Sequence, residues 1–267
     1  MTILQAVFLG ALQGVAEFLP VSSSGHLALA AHFMNLSEVP LLFDVCLHLA
    51  TLFAVLVVFR RRIAELLLTV WRYAARKPLE SDKAEGRLIL ALITATLVTA
   101  VIGFSIKDVV ETLPPFWISC ALVCTGLVLF FSGRYQSKKA PSEPGILQGL
   151  IIGAAQRIGV IPGISRSGST ISAALLCGID RKKAGEFSFL LAIPAILAAF
   201  ILEVKDADTL MGTVSAVSLA AGMLSSFVVG LASLKFLLAL INRGRLGWFA
   251  FYLVPMGISL AVYFTLV

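Results

Sequence analysis

The sequence is poor in charge and in the motifs that mark soluble enzymes. Asp, Glu, Lys and Arg make up 13% of its 267 residues, against roughly 25% in soluble domains. No Walker A loop, dinucleotide-binding fingerprint or zinc-ligand spacing occurs. The four cysteines lie in apolar stretches, and we expect them to be small core residues rather than a disulfide or metal framework. These absences argue against a soluble nucleotide-binding, zinc-dependent or disulfide-stabilised protein.

Long apolar runs are what the sequence has in abundance. Hydrophobic residues make up 59% of the chain, and the mean hydropathy is +0.97. A helix of about 20 apolar residues crosses the hydrocarbon core of a bilayer. We therefore predict an all-α polytopic membrane protein with six full spans. These spans cover residues 41–59, 87–107, 114–131, 185–202, 214–240 and 247–266.

One apolar block occurs twice, at residues 9–26 and 152–169, and it carries polar residues that a membrane interior normally excludes. The two copies are separated by 143 residues, as from Ser22 to Ser165. This duplication predicts one membrane domain built from two repeats, at about 1–135 and 145–267, with a site where they meet. The identical positions are Gly10 and Gly153, Gln13 and Gln156, Ser22 and Ser165, and Gly25 and Gly168.

Each copy interrupts an apolar helical pattern with a break rich in Pro, Gly and Ser. The breaks run over 20–25 and 162–168, inside the regions 2–36 and 145–178. Irregular backbone at membrane depth is tolerated only where protein or a cavity covers it. We therefore predict two re-entrant helix hairpins, each followed by three spans. That count inverts the second repeat relative to the first.

Under this topology, most basic residues fall in loops on one side of the membrane. Only Lys107 and Lys205 fall in loops on the opposite side. The positive-inside rule makes the basic side cytoplasmic. Topology thus explains the net charge of +6 without nucleic acid as a partner. The basic side receives Arg60, Arg61, Arg62, Arg72, Arg76, Lys77, Lys83, Arg87, Arg134, Lys138, Lys139, Arg181, Lys182, Lys183, Arg243 and Arg245.

The first break combines hydroxyls, a carboxylate and an imidazole. Ser22, Ser23, Ser24, Gly25 and His26 open a helix, whose free amides and dipole favour an anion. On the preceding helix, Gln13 and Glu17 share one face. The Glu17 carboxylate is a candidate base, a partner for His26 or a ligand for a divalent cation. The alternative is a buried, neutral carboxylic acid.

The second break adds a permanent cation. Arg166 stands among Ser165, Ser167, Gly168 and Thr170, and a guanidinium forks onto phosphate oxygens. The two turns together predict a pocket for a multiply charged anion. The alternative is that the serines cap helices and the glycines allow close packing. Elsewhere, His48 in an apolar span is expected to be a core histidine.

These motifs resemble the bacterial undecaprenyl-diphosphate phosphatases of the bacitracin-resistance type. The resemblance rests on Gln13-x-x-x-Glu17, on the stretch from Glu17 to His26, on Pro162 to Thr170 and on Glu186 to Pro194. It covers essentially the whole chain. It implies hydrolysis of undecaprenyl diphosphate to the monophosphate carrier of peptidoglycan synthesis, and a divalent cation, Mg²⁺ or Ca²⁺, as cofactor. It also implies a site reached from the outer face.

The implied site divides into reactive and substrate-binding residues. Ser23 attacks in our first scheme, with His26 as base or proton shuttle, while attack by His26 or water remains an alternative. A lipid-phosphate flippase or anion transporter is the competing class, because transporters also use inverted repeats. Small residues on the spans are compatible with a homodimer. The catalytic candidates are Glu17, Ser23, His26 and Arg166, with Glu17 as metal ligand; the substrate-binding candidates are Gln13, Ser22, Ser24, Gly25, Ser165, Ser167, Gly168 and Thr170.

Overall fold

Helices alone make up the regular secondary structure that the computed structural model describes. It describes residues 1–34, 36, 41–105, 114–135, 143–204 and 214–266, and this part contains no strand. A 3₁₀ turn, Leu246–Phe249, leads into the last helix. The helices are α1 Ile3–Ala16, α2 Ser23–Phe33, α3 Leu41–Ala74, α4 Asp82–Ser105, α5 Pro115–Arg134, α6 Ile146–Ile158, α7 Arg166–Leu176, α8 Arg181–Val204, α9 Ala216–Asn242 and α10 Ala250–Leu266.

Six of these elements are long and apolar enough to cross a membrane, as the sequence predicts. They are α3, α4, α5, α8, α9 and the 3₁₀ turn together with α10. Their positions agree with the six expected spans, so the prediction of an all-α polytopic membrane protein is confirmed. The four cysteines were expected to be core residues, but none of these free thiols is fully buried, and Cys124 is exposed.

The longest helix corrects one part of the sequence analysis. The expected spans 41–59 and 87–107 leave the residues between them as a long basic loop, yet α3 continues as helix through Arg62 to Ala74. In this extension, the Arg62 guanidinium lies 2.7 Å from Glu85 and 2.5 Å from Glu186. These ion pairs join α3 to α4 and α8. The connection between α3 and α4 is therefore short.

The regions around the two breaks form short helices, in agreement with the hairpin prediction. The helices α1, α2, α6 and α7 contain 14, 11, 13 and 11 residues. At about 1.5 Å per residue, each is shorter than the roughly 30 Å hydrocarbon core. The opposite orientation of the two halves stays a prediction.

Each half places the first helix of its hairpin against the second span of the other half. Helix α1 packs on α9, and α6 packs on α4. The repeated glycines make these approaches close. A Cβ atom at Gly10 would collide with the backbone of Gly222 in α9, and one at Gly153 would lie 2.5 Å from the Ala95 carbonyl oxygen in α4. Because the first helix of each hairpin packs on a span of the other half, both breaks lie in the centre of the protein.

The main hydrophobic core surrounds the first break. Phe18, at the start of that break, is 2% exposed and meets the ring of Phe189 from α8 at 5.8 Å between centroids. Phe187, Leu190 and Leu191 extend the same cluster along α8. The break is thus covered by protein, which is the condition for irregular backbone at membrane depth.

Candidate active site

The two breaks contact each other directly. The backbone N–H of Gly163 donates to Ser22 Oγ at 3.1 Å, and Ser167 Oγ donates to the Phe18 carbonyl at 3.0 Å. An ion pair between Arg166 and Glu17 joins the same segments. These three contacts join the two copies of the duplicated block.

In the second break, local hydrogen bonds fix the start of α7. Ser165 is the N-cap, and its Oγ accepts from the backbone N–H of Gly168 at 3.1 Å. Thr170 Oγ1 donates to the Arg166 carbonyl at 3.0 Å and lies 2.5 Å from Ser188 Oγ in α8. These contacts hold Arg166 at the first position of the helix, with its side chain 20% exposed. Gly168 and Thr170 therefore support the arginine without lining the cavity described below.

In the first break, the backbone takes a different path. Ser22 has a φ of 70°, in the left-handed region that residues other than Gly, Asn and Asp seldom adopt. This kink lets Ser23 begin α2 with its hydroxyl directed at the preceding helix. Ser23 Oγ donates to Glu17 Oε2 at 3.2 Å. A candidate nucleophile and a carboxylate are thus placed in contact by a strained serine.

The Glu17 carboxylate is the centre of the polar cluster. Its side chain is only 3% exposed, and a buried charge of this kind requires partners. Arg166 supplies the opposite charge. Gln13 Nε2 donates to Glu17 Oε2 at 3.1 Å, and His48 Nε2 lies 3.6 Å from the same oxygen. The alternative of a neutral, unpaired carboxyl group does not fit these surroundings.

A cavity of ≈ 240 Å³ opens at this cluster and is lined by both repeats. A smaller cavity of ≈ 80 Å³ shares His48 with it and continues toward Asp44. The lining includes six of the twelve site residues expected from the sequence: Glu17, Ser22, Ser23, Ser24, Ser165 and Arg166. Gln13, Gly25, Ser167, Gly168 and Thr170 lie behind these residues and support the two turns.

His26 lies apart from the cavity lining. Its Nδ1 is 2.9 Å from the Ser22 carbonyl, and its Nε2 is 2.7 Å from the Tyr252 hydroxyl of α10. Because a carbonyl only accepts, Nδ1 carries a proton, so Nε2 of a neutral ring accepts from Tyr252. Both ring nitrogens are thus engaged, and the Ser23 hydroxyl has Glu17 as its contact instead.

The sequence analysis missed His48 as a site residue. It was expected to be a core histidine, but it lines the cavity, and its side chain is 33% exposed. Its Nδ1 bonds to the Asp44 carbonyl at 3.0 Å, which leaves Nε2 directed toward Glu17. One signal was present: Asp44 and His48 are four residues apart, so they mark a polar face on an apolar helix.

Gln156 is a second lining residue with a defined orientation. Thr99 Oγ1 has one proton, which goes to a carbonyl of Ala95 or Gly153 at 2.8 or 2.9 Å. It must therefore accept from Gln156 Nε2, 3.3 Å away. Gln156 Oε1 is buried and has no hydrogen-bond partner among the residues that the structure describes, as is also true of Gln13 Oε1. The repeat thus places two unpaired amide acceptors near the cavity.

The side chains at the cavity could hold a divalent cation only if a substrate supplied further ligands. Within the described ranges, no three His, Cys, Asp or Glu side chains come together as a metal cage. Glu17 is the carboxylate among the cavity-lining residues. Mg²⁺ typically binds through one or two carboxylates plus substrate phosphates and water. The site therefore fits a cation held between Glu17 and phosphate oxygens of a ligand.

Fold and site together define a class: a polytopic helical membrane protein whose broken helices enclose a polar cavity lined by an arginine, a glutamate and a candidate nucleophile. The chain belongs to the bacitracin resistance protein BacA family, whose model matches residues 6–259. Among similar proteins, an undecaprenyl-diphosphatase of Treponema denticola is 54% identical over 264 residues, covering 99% of this chain and 98% of that protein. Undecaprenyl-diphosphatases of Syntrophotalea carbinolica and Desulfatibacillum aliphaticivorans are 44% and 41% identical, over 96% and 97% of this chain and 97% and 98% of theirs.

Proposed function

We propose that this protein is a membrane phosphatase that hydrolyses undecaprenyl diphosphate to undecaprenyl phosphate and inorganic phosphate. Its family and its named relatives support the substrate and the reaction. The observation that carries the proposal is the meeting of Ser23, Glu17 and Arg166 in one cavity. The reaction recycles the lipid carrier of peptidoglycan synthesis, which accounts for the resistance to bacitracin in the family's name.

Substrate binding begins with an exchange of partners at Arg166. In the free protein the guanidinium is held by Glu17. The terminal phosphate of the substrate offers several oxygens to the same fork and competes with the single carboxylate. The amides at the start of α7 add a positive dipole end to this side of the cavity. Binding thus neutralises the diphosphate and releases Glu17 for proton transfer.

The released carboxylate supports a serine mechanism. Ser23 Oγ attacks the terminal phosphorus, Glu17 Oε2 takes the hydroxyl proton, and the bond to the bridging oxygen breaks. Undecaprenyl phosphate leaves, and a phosphoserine remains. Glu17 gives this proton to the departing lipid phosphate. Water then attacks the phosphoserine, Glu17 takes a proton from the water and passes it to Ser23 Oγ, and inorganic phosphate leaves with Ser23 restored. The 3.2 Å contact between Ser23 and Glu17 favours this carboxylate over His26 as the base.

A divalent cation, Mg²⁺ or Ca²⁺, is part of the proposal. Glu17 would hold it together with the diphosphate oxygens, and the cation would neutralise charge on the transferred phosphoryl group. Gln13, whose amide donates to Glu17, orients this carboxylate. The amide oxygen of a glutamine is a weaker ligand for a hard cation than a carboxylate, so we assign the metal to Glu17.

We further propose that the chain lies in the bacterial cytoplasmic membrane with its cavity open to the periplasmic face. The segregation of basic residues to one side supports the orientation. Small residues on the spans support a homodimer. A cysteine introduced at Arg76 that reacts with an impermeant reagent added outside intact cells would overturn the orientation. Light scattering of the purified protein tests the dimer.

Phosphate release by the purified protein in detergent tests the function. We expect release from undecaprenyl diphosphate in the presence of Mg²⁺, and loss of that release in the Glu17→Gln variant. A transporter would instead move the lipid phosphate or anion into sealed vesicles without hydrolysis. Transport with no phosphate release from a folded, purified wild-type protein would reject the proposed reaction.

A further inference from the structure

A larger cleft lies away from the active site, at the basic end of the protein. It has a volume of ≈ 690 Å³ and is formed where α3 ends, α4 begins and α6 begins. None of the residues that line it belongs to the catalytic cavity. The side chains that shape it are Tyr73 of α3, Lys83, Arg87, Leu90 and Ile93 of α4, and Ile146 of α6.

The residues that line the cleft match an amphiphile, because cations and aliphatic side chains occupy different parts of it. Lys83, Arg87 and Leu90 are spaced four and three residues apart, so they follow one face of α4. From Lys83 to Ile93 the helix rises about 15 Å. This is roughly half of the 30 Å hydrocarbon core, the depth of one leaflet. Cations therefore stand at the mouth of the cleft, and aliphatic side chains stand below them.

The charge of the cleft is not neutralised by its neighbours. Asp82 is held by Arg72, at 2.8 Å from its Nε, and Glu85 is held by Arg62. Lys83 has a partner in Glu80, at 2.7 Å, but these side chains are 73% and 89% exposed, and such pairs are weak. Throughout the described ranges, no carboxylate lies within ion-pair distance of Arg87. The cleft is thus left with a net positive charge.

The apolar walls of the cleft distinguish a lipid from a free anion. Leu90, Ile93 and Ile146 are 53%, 50% and 54% exposed, although they lie beside the cations. A small phosphate ion would bind the cations and leave these side chains uncovered. An acyl chain attached to the phosphate covers them, and each buried methylene adds to the binding.

We propose that this cleft binds one anionic phospholipid of the cytoplasmic leaflet. Its phosphate contacts Lys83 and Arg87, and an acyl chain lies along Leu90 and Ile93. Each cation near an anionic membrane surface contributes about fivefold to binding, so the pair contributes about 25-fold. The site is independent of the proposed catalysis, because it shares no residue with the catalytic cavity.

Native mass spectrometry of the purified protein tests the site. The protein is titrated in detergent with dioleoyl phosphatidylglycerol and, separately, with dioleoyl phosphatidylcholine. We expect one phosphatidylglycerol to bind in preference to phosphatidylcholine, and the double variant Lys83→Gln/Arg87→Gln to reduce this preference about 25-fold. Glycerol 3-phosphate at the same concentration should not displace the lipid, because it lacks the acyl chain.

The matched control removes two cations of the same side that do not line the cleft. The variant Arg60→Gln/Arg61→Gln alters two exposed residues of α3 and should keep the full lipid preference. Equal losses in both variants would mean that general positive charge attracts the lipid, and would overturn the proposal. Unchanged preference in the Lys83→Gln/Arg87→Gln variant, or displacement by glycerol 3-phosphate, would overturn it as well.

Discussion

The two copies of the duplicated block agree where they pack and differ where they face the cavity. Gly10 and Gly153 each press their helix onto a span of the other half. Glu17 of the first copy has Val160 as its counterpart in the second, and Ser23 has Arg166. The positions that the two copies share thus pack the helices around one cavity. The positions that differ supply different chemical groups to that cavity. The first copy brings the carboxylate and hydroxyl, and the second brings the cation.

The backbone diverges together with these side chains. Ser22 and Ser165 both accept a backbone N–H, but Ser22 bonds across to Gly163, and Ser165 caps its own helix at Gly168. Ser22 takes a left-handed φ of 70°, whereas Ser165 is extended at −85°. The Ser22 hydroxyl therefore contacts the second copy, whereas the equivalent Ser165 hydroxyl caps the helix that begins with Arg166.

We expect the largest effect from removing the Ser23 hydroxyl, which has no equivalent in the second copy because Arg166 stands at that position. Ser23→Ala should lower kcat by about 10⁵-fold, as loss of a serine nucleophile does. Ser24→Ala, which alters a neighbouring hydroxyl of the same cavity, should lower it by less than about tenfold. Initial rates of phosphate release at saturating lipid measure both. Near-normal turnover by Ser23→Ala would remove the serine from the mechanism.

A smaller loss is expected when the second copy loses its cation. Arg166→Gln should reduce kcat/KM by about 10³-fold, because a preorganised charge no longer meets the phosphoryl group. Arg166→Lys keeps the charge without the planar fork, so it should recover part of the activity. Arg157→Gln serves as the control, since Arg157 lies on the same hairpin and donates to the Gly103 carbonyl outside the cavity. If Arg157→Gln were as damaging as Arg166→Gln, the loss would reflect the hairpin and not the charge.

Making the copies more alike should also impair the enzyme. Val160→Glu places a carboxylate at the cavity position equivalent to Glu17, where it competes with the diphosphate for Arg166. We expect KM to rise by about tenfold, the effect of roughly 1.4 kcal/mol. Val160→Gln has a similar shape without the charge and should change KM by less than about threefold. Equal effects of the two variants would show that shape, not charge, matters at this position.

The smallest effect on catalysis is expected at the shared glycines. Gly10→Val and Gly153→Val should each destabilise the fold by about 1–3 kcal/mol through overpacking, with activity per folded molecule unchanged. Thermal unfolding in detergent measures the loss. Leu147→Val, on the exposed side of α6, is the control and should leave the unfolding temperature unchanged. A stable Gly153→Val protein would contradict the close packing of α6 on α4.

Much of this arrangement could be predicted from the sequence, because its signals are local. Runs of apolar residues define the six spans, and the Pro/Gly/Ser breaks mark the hairpins. The repeat predicts that the two breaks meet at one site, since irregular backbone at membrane depth must be buried in protein or line a cavity. These features depend on composition and spacing within short segments.

The rest depends on packing that no local pattern encodes. His48 and Thr99 reach the cavity from α3 and α4, and the faces that these helices turn inward are set by contacts with distant helices. The helical extension of α3 carries Arg62 into ion pairs with Glu85 of α4 and Glu186 of α8, which local patterns do not encode. Sequence alone also left the base open between His26 and Glu17, whereas the contact of Ser23 favours Glu17.

The central claim is that Glu17 and Arg166 restrain each other until a diphosphate separates them. Its most direct test is the affinity of the Glu17→Gln variant for a polyprenyl methylenebisphosphonate, measured calorimetrically in EDTA so that no cation bridges the two. Although this variant should be nearly inactive, we expect it to bind the analogue about tenfold more tightly than the wild type, because the arginine loses its competing carboxylate. Binding that is unchanged or weaker in Glu17→Gln would contradict the account.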